Sequence, residues 1–349
     1  MGGHSASGTQ IKALKAALVA ISLYCVYTVA TLLYLQVKYS RLELADFEPA
    51  AIDPATYRPA QAPPAPGRYG PGRPHPLAVY EGKPLRVTIN AFGSRNLFEV
   101  PRGIQNHVVL LGDSYFFGWG LNDEETVAFA LNRLDPGRRY INLALPTYNV
   151  PDSVQRYLTK LERLAPPRLV ILQILFVNDV GPEAVIRRAV GRLSAEDSRL
   201  VLPPASWIVG RDDLQSRAGA RLWGQIYRDL SPRRFQRYFA APLDRLRAAL
   251  ARSGTKLAVV YFHGPTPGHV RVFKSYAERL GRFCSARDLP CFSIYDLVSP
   301  AEARDRVADG HPSARCNRAL AARLKKLVDA LLASAPPSAE GEQQQAQKQ

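Results

Sequence analysis

Cysteine is scarce here. Cys25, Cys284, Cys291 and Cys316 offer no metal-binding spacing, so no metal site is expected. Acidic residues are outnumbered, 30 against 46 lysines and arginines, leaving a formal net charge of +16. The basic residues are scattered and no nucleic-acid-reading motif accompanies them, so the charge fits an anionic membrane surface or an acidic glycan and not nucleic acid. No nucleotide or cofactor motif is present, and none is expected to bind. Histidine is limited to six residues. His4 precedes an apolar run, His75 lies in a proline-rich segment, His107 begins an apolar strand, and His263 and His269 flank a Gly/Pro loop without a paired acid. His311 remains.

Charge is also missing over one long stretch. Ala16 to Leu35 carries no charged side chain, and at ~1.5 Å per residue such a helix crosses a ~30 Å hydrocarbon core. We expect a flank over 1–15 and a transmembrane signal anchor over 16–36. A cleaved signal peptide would have a core of ~7–15 residues ending at a small-residue site, whereas this run is longer and ends in Tyr34-Leu35-Gln36-Val37-Lys38. Lys12 and Lys15 on one side nearly balance Lys38 and Arg41 on the other; the expected orientation has the short N-terminus inside and the bulk outside, in the periplasm. Residues 49 to 76 hold nine prolines and few large apolar side chains, so 37–80 is read as a semi-extended stalk. The polar tail 334–349 is expected to be disordered.

Between stalk and tail, large apolar side chains recur in a βα rhythm. Strands are expected at Val108–Leu111, Arg139–Leu143, Leu169–Phe176, Lys256–Phe262 and Cys291–Tyr295. Helices are expected near Thr126–Leu134, Val154–Leu164 and Ser313–Ala333, and Leu85–Asn90 opens the ordered domain, taken as 81–333. Val108-Val109-Leu110-Leu111-Gly112-Asp113-Ser114 reads as a buried strand whose end presents one serine. Downstream, Asp309-Gly310-His311 supplies a carboxylate and a base two residues apart. A serine hydroxyl needs a base within hydrogen-bond reach, and a base needs an orienting acid, so Ser114, His311 and Asp309 suggest a serine hydrolase. Ser114, Thr147 and Asn178 each follow a strand's carboxyl end, where parallel sheets carry their chemistry.

Four blocks in order resemble the SGNH, or GDSL-type, hydrolase and esterase superfamily: Gly112-Asp113-Ser114, Asn142 to Tyr148, Phe176-Val177-Asn178-Asp179 and Asp309-Gly310-His311. The resemblance covers roughly residues 85 to 333. It implies a three-layer α/β/α fold with a flavodoxin-like parallel sheet, here preceded by one transmembrane helix. It also implies an oxyanion hole from the backbone N–H groups of Ser114 and Thr147 and the side-chain amide of Asn178. Thr147 stands where the family usually has glycine, and Phe176 replaces the glycine of Gly-x-Asn-Asp. A backbone N–H survives any substitution except proline, provided Thr147 adopts the glycine's angles. The Asp-x-His spacing is similar to that of the membrane-associated polysaccharide acetyl-transfer branch. Asn90 to Arg95 resembles a stretch that anchored members carry before the nucleophile strand. Asp113 and Asp179 are expected to hold loops.

Residues 183–240 break the rhythm with eleven arginines and six acids among Trp207, Trp223, Tyr227, Phe235 and Tyr238. This insertion is either a rim that contacts carbohydrate or a helical cap with solvated charges. Cys284 and Cys291 are either bridged or two thiols. Three functions stay open: an ester hydrolase acting on O-acyl, especially acetyl, esters of an envelope or exported glycan; an O-acyltransferase using the same residues; and a degenerate glycan-binding or scaffold protein.

Overall fold

Alternate residues of three adjacent strands face one core. Val108 and Leu110 in β5 (His107–Leu111), Leu169 and Ile171 in β7 (Leu169–Leu175), and Ala258 and Val260 in β8 (Lys256–Phe262) share it. The intervening Val109, Leu111, Val170, Leu172 and Val259 are buried as well, on the opposite face. A sheet covered on both faces needs near-continuous apolar strands, which is why β5 and β7 read as unbroken runs and not as alternating ones. With β6 (Arg139–Asn142) and β9 (Cys291–Ser293) these strands form a five-stranded, fully parallel sheet in the order β6-β5-β7-β8-β9. Counted within the sheet this is 2-1-3-4-5, the flavodoxin-like winding, and its direction reverses beside β5.

This computed structural model describes residues 8–41, 65–69, 78–160, 163–179, 198–200, 224–225, 231–264 and 267–333. His4, His75, most of the proposed stalk, Trp207, Trp223, Tyr227 and the tail 334–349 lie outside the described residues, as does the side chain of His269. The chain divides into two compact units, residues 1–50 with 185–229 and residues 51–184 with 230–349. In the first, α1 (Gly8–Ser40) contains Lys15–Tyr39, a 25-residue stretch whose most apolar 18 residues have a mean hydropathy of 2.1 and which is long and apolar enough to cross a membrane.

The second unit contains the sheet. On one face α3 (Val127–Leu134) packs against the long last helix α8 (Ala314–Ala333) through Val127, Leu131, Leu320, Leu324 and Val328. On the other lie α4 (Val150–Leu158) and α6 (Ala241–Ala251). The helix expected from Val154 starts earlier, because Asn149 and Asp152 form a reciprocal capping box at its N-terminus. The strand expected over Cys291–Tyr295 stops at Ser293 for the same reason, as Ser293 and Asp296 cap a turn of helix over Ile294–Leu297.

The proposed insertion also ends differently inside this unit. Pro232–Phe235 runs through a π turn, Gln236–Ala240, into α6. Phe235 and Phe239 stack 5.5 Å apart, and both meet Tyr276 of α7 (Lys274–Ser285) edge-on. These aromatics therefore belong to the core. Cys284 and Cys291 are free thiols; a hydrogen bond to Cys284 and burial raise the Cys291 pKa.

Ordered structure begins before Leu85. β1 (Gly67–Tyr69) pairs antiparallel with β4 (Val87–Ile89), and a small hairpin joins β2 (Val79–Tyr80) to β3 (Lys83–Pro84). Tyr69 and Ala78 sit in the same core as Val87 and Ile89. These two residues join the core although they fall where composition reads as stalk.

Candidate active site

Ser114 opens α2 (Ser114–Phe117), one helical turn thrown out by the end of β5. Asp113 caps that turn: one carboxylate oxygen accepts the Tyr115 N–H at 2.9 Å, and the other accepts from the Asn178 side-chain amide at 3.0 Å. Gly112 has φ +146°, and a methyl group there would overlap the Gln173 amide, whose Oε1 accepts the Asp113 N–H at 2.9 Å. Glycine thus lets a polar side chain of β7 brace the turn. At its far end the buried Arg95 guanidinium donates to the carbonyls of Phe117 at 3.0 Å, Gly118 at 2.7 Å and Leu121 at 2.6 Å. Burial pulls the Arg95 pKa down, and the charge and hydrogen bond of Asp123 work against that pull.

His311 arrives from the other end of the chain. Ser313 N–H donates to the Asp305 carbonyl at 3.1 Å and Val307 N–H to the His311 carbonyl at 2.9 Å, closing a tight loop with Gly310 at φ +89°. The Gly310 carbonyl is held by the Tyr115 hydroxyl at 3.2 Å and by Arg306 Nη1 at 3.3 Å. In this loop His311 Nε2 lies 2.8 Å from Ser114 Oγ, and Nδ1 lies 2.7 Å from Asp309 Oδ1. An ionised carboxylate only accepts, so Nδ1 carries the proton and Nε2 faces the serine as a base. Burial pushes the Asp309 carboxyl up, but the hydrogen bond and charge of His311, with a hydrogen bond from Tyr80, outweigh it and hold the group below the usual carboxylate range. The stabilisation from this pairing is present above the ordinary carboxylate pKa and is lost as pH falls through the depressed value.

Asp309 therefore stays ionised throughout the acid limb of any activity, which reports protonation of the imidazole. Asp309→Asn should lower kcat roughly 10³–10⁴-fold, through loss of the correct tautomer. It should also move the acid limb to lower pH, because the imidazolium loses its counter-charge. A pH profile of ester hydrolysis reads both effects. If Asp296 proves indispensable and Asp309 dispensable, the carboxylate has been misassigned.

Three sites named from the sequence converge at the switch point: Ser114 after β5, Thr147 after β6 and Asn178 in α5 (Phe176–Asp179) directly after β7. Thr147 has φ +65°, the left-handed backbone that glycine favours. Asn178 has two amide hydrogens, and one is committed to Asp113. Asp179 Oδ2 accepts the Leu175 N–H at 2.6 Å, a loop-holding bond. The first turn of α2 leaves the Ser114 N–H without an intrahelical acceptor. Groups of this kind are what a tetrahedral oxyanion requires as donors.

The remaining described histidines stand apart from this relay. Burial drives the His107 pKa down to about 4, so it is neutral at the base of β5. His263 packs among Phe176, Tyr261 and Tyr295. Among the described residues no cluster of His, Cys, Asp or Glu could hold a metal ion. Sequence reasoning missed Gln173, whose signal is a polar residue inside an apolar strand, and gave Arg95 no role. It also missed Tyr80, which falls in the segment read as stalk.

No protein-family model and no curated protein matches the chain. Several solved structures resemble it. A lipolytic protein of the G-D-S-L family from Desulfitobacterium hafniense is 12% identical over 64% of this chain and 99% of its own, with a TM-score of 0.40. The esterase EstA from Pseudoalteromonas sp. is 12% identical over 66% and 100%, TM-score 0.41. A family two carbohydrate esterase from Clostridium thermocellum, solved with cellohexaose, is 11% identical over 68% of both chains, TM-score 0.39. At such values the roles rest on the site geometry. The helix-flanked parallel sheet in 2-1-3-4-5 order has the flavodoxin-like winding.

Proposed function

We propose that this chain is a serine ester hydrolase of the SGNH/GDSL type, tethered to a membrane by its N-terminal helix. It acts through a Ser114 acyl-enzyme on O-acyl, principally acetyl, esters of an envelope or exported glycan. The observation that carries this reading is the continuous relay from Ser114 Oγ through both ring nitrogens of His311 to Asp309, at 2.8 and 2.7 Å. His311 Nε2 takes the serine proton as Oγ attacks the ester carbonyl. The oxyanion gathers donors from Ser114, Thr147 and Asn178, and the imidazolium then protonates the departing sugar hydroxyl. Water, activated by the same imidazole, releases the acid and restores Ser114. The half-buried Trp119, its ring 6.5 Å from that of His311, gives a sugar an aromatic surface beside the nucleophile.

A second reading keeps every residue and changes the acceptor. The Asp-x-His spacing favours an O-acyltransferase, in which a glycan hydroxyl replaces water in the second half-reaction. Incubating the full chain in detergent with an acetyl donor and a glycan distinguishes them: free acetate marks the hydrolase, acetylated glycan the transferase. Failure of a fluorophosphonate probe to label Ser114 in the same preparation would favour the degenerate binding protein and sink both.

The tether makes its own expectation. The full chain should fractionate with membranes and resist high-salt extraction, since burial of apolar side chains is insensitive to screening. Release by salt would indicate adsorption by charge. A periplasm-restricted reporter at the C-terminus should be active, and silence there beside an active cytoplasmic reporter would reverse the orientation.

A further inference from the structure

Asp309 is an unusual acid for such a relay because its side chain is 38% exposed, with His311 at 19%. A carboxylate that open to water can rotate away from Nδ1 unless something fixes it. The Asp309 backbone N–H donates to the Tyr80 hydroxyl at 3.0 Å, and the hydroxyl helps to hold the Asp309 pKa down. The Tyr80 ring is itself fixed. Gly120, at φ +77°, lies flat against it, and a methyl group at Gly120 would come within 3.2 Å of the ring carbons. In the hairpin the Tyr80 backbone pairs with Lys83, while buried Ala78 accepts the Leu85 N–H at 2.8 Å. The hairpin is seated by main-chain bonds and core contact, so the hydroxyl reaches Asp309 from a rigid base.

We infer that Tyr80 is a positioning residue for Asp309, and hence that the chain leading from the apolar helix into the hydrolase fold completes the active site instead of only linking to it. The inference rests on the relay reading above. Tyr80 acts in two ways. It holds the Asp309 main chain and carboxylate in the orientation that receives Nδ1–H, and by donating to the carboxylate it spreads the negative charge, which weakens Asp309's hold on the imidazolium proton.

The second effect gives a readout that a packing role would not move. In the full chain in detergent, with p-nitrophenyl acetate as substrate, Tyr80→Phe should lower kcat about tenfold with KM unchanged, the size expected for one lost charge-assisted hydrogen bond. The acid limb of kcat/KM should move to higher pH, opposite to its movement in Asp309→Asn. In an Asp309→Asn background the same Tyr80→Phe change should cost less than threefold, because its target is gone. The position of the limb does not depend on how much of the chain is active, so it remains readable if some Tyr80→Phe protein unfolds. An unmoved limb, or an equal loss in both backgrounds, would overturn the inference while leaving the relay intact. Undiminished turnover in Ser114→Ala would instead overturn the relay reading itself.

Discussion

Replacing Ser114 with alanine should reduce ester hydrolysis roughly 10⁴–10⁶-fold and abolish fluorophosphonate labelling, with the thermal midpoint unchanged. Only one oxygen is lost, and α2 keeps its Asp113 cap and its Arg95 brace, so the turn has no reason to unfold. His311→Ala should produce a loss of the same size. Without Nε2 at 2.8 Å the hydroxyl has no proton acceptor and remains a weak nucleophile. The double variant should be no worse than either single one, because both residues make one nucleophile. Measured kcat values for the three chains decide: additive losses, or a single variant within tenfold of the parent, would remove Ser114 and His311 from a common step.

Asn178→Ala should cost roughly 10²–10³-fold in turnover, the expected effect of removing one preorganised oxyanion donor. Thr147→Gly should not follow it. Only the Thr147 backbone N–H is assigned to the oxyanion, and at φ +65° a β-branched residue carries strain that glycine relieves. Its activity should be retained or rise modestly. Burst-phase and steady-state rates with a short-chain ester would show the two variants moving apart. A Thr147→Gly enzyme as impaired as Asn178→Ala would give the threonine side chain a role of its own and displace the alignment of that block.

Much of the unit was readable locally because its signals are local. β5, β7 and β8 are apolar runs, and the last helix keeps one apolar face over 20 residues, Ala314–Ala333. The errors fall at ends, where capping decides. Ser293 and Asn149 each found an acid three residues on and moved a boundary. Composition misled at residues 67–69 and 78–80, since proline and glycine marked a linker while Tyr69, Ala78 and Tyr80 each found a place on the folded unit. Phe235 and Tyr238 were read as part of an inserted cap, yet they are buried in the unit that holds the sheet.

By itself the sequence determined the sheet's strands, singled out Ser114, His311 and Asp309 as the residues to be brought together, and gave an N-terminal helix apolar enough for a bilayer. Each depends on residue type and spacing within a few positions of the chain. Tertiary structure alone decided what those residues can do together. Ser114 and His311 are separated by 197 residues in sequence, and only the winding of the sheet and the tight loop around Gly310 bring them to 2.8 Å. It alone showed that Thr147 adopts the glycine backbone, since φ is set by the surrounding loop and not by the residue's preference. Two partners of the site, Gln173 beneath Asp113 and Tyr80 on Asp309, have no motif, because a single well-placed hydrogen bond imposes no pattern on its neighbours.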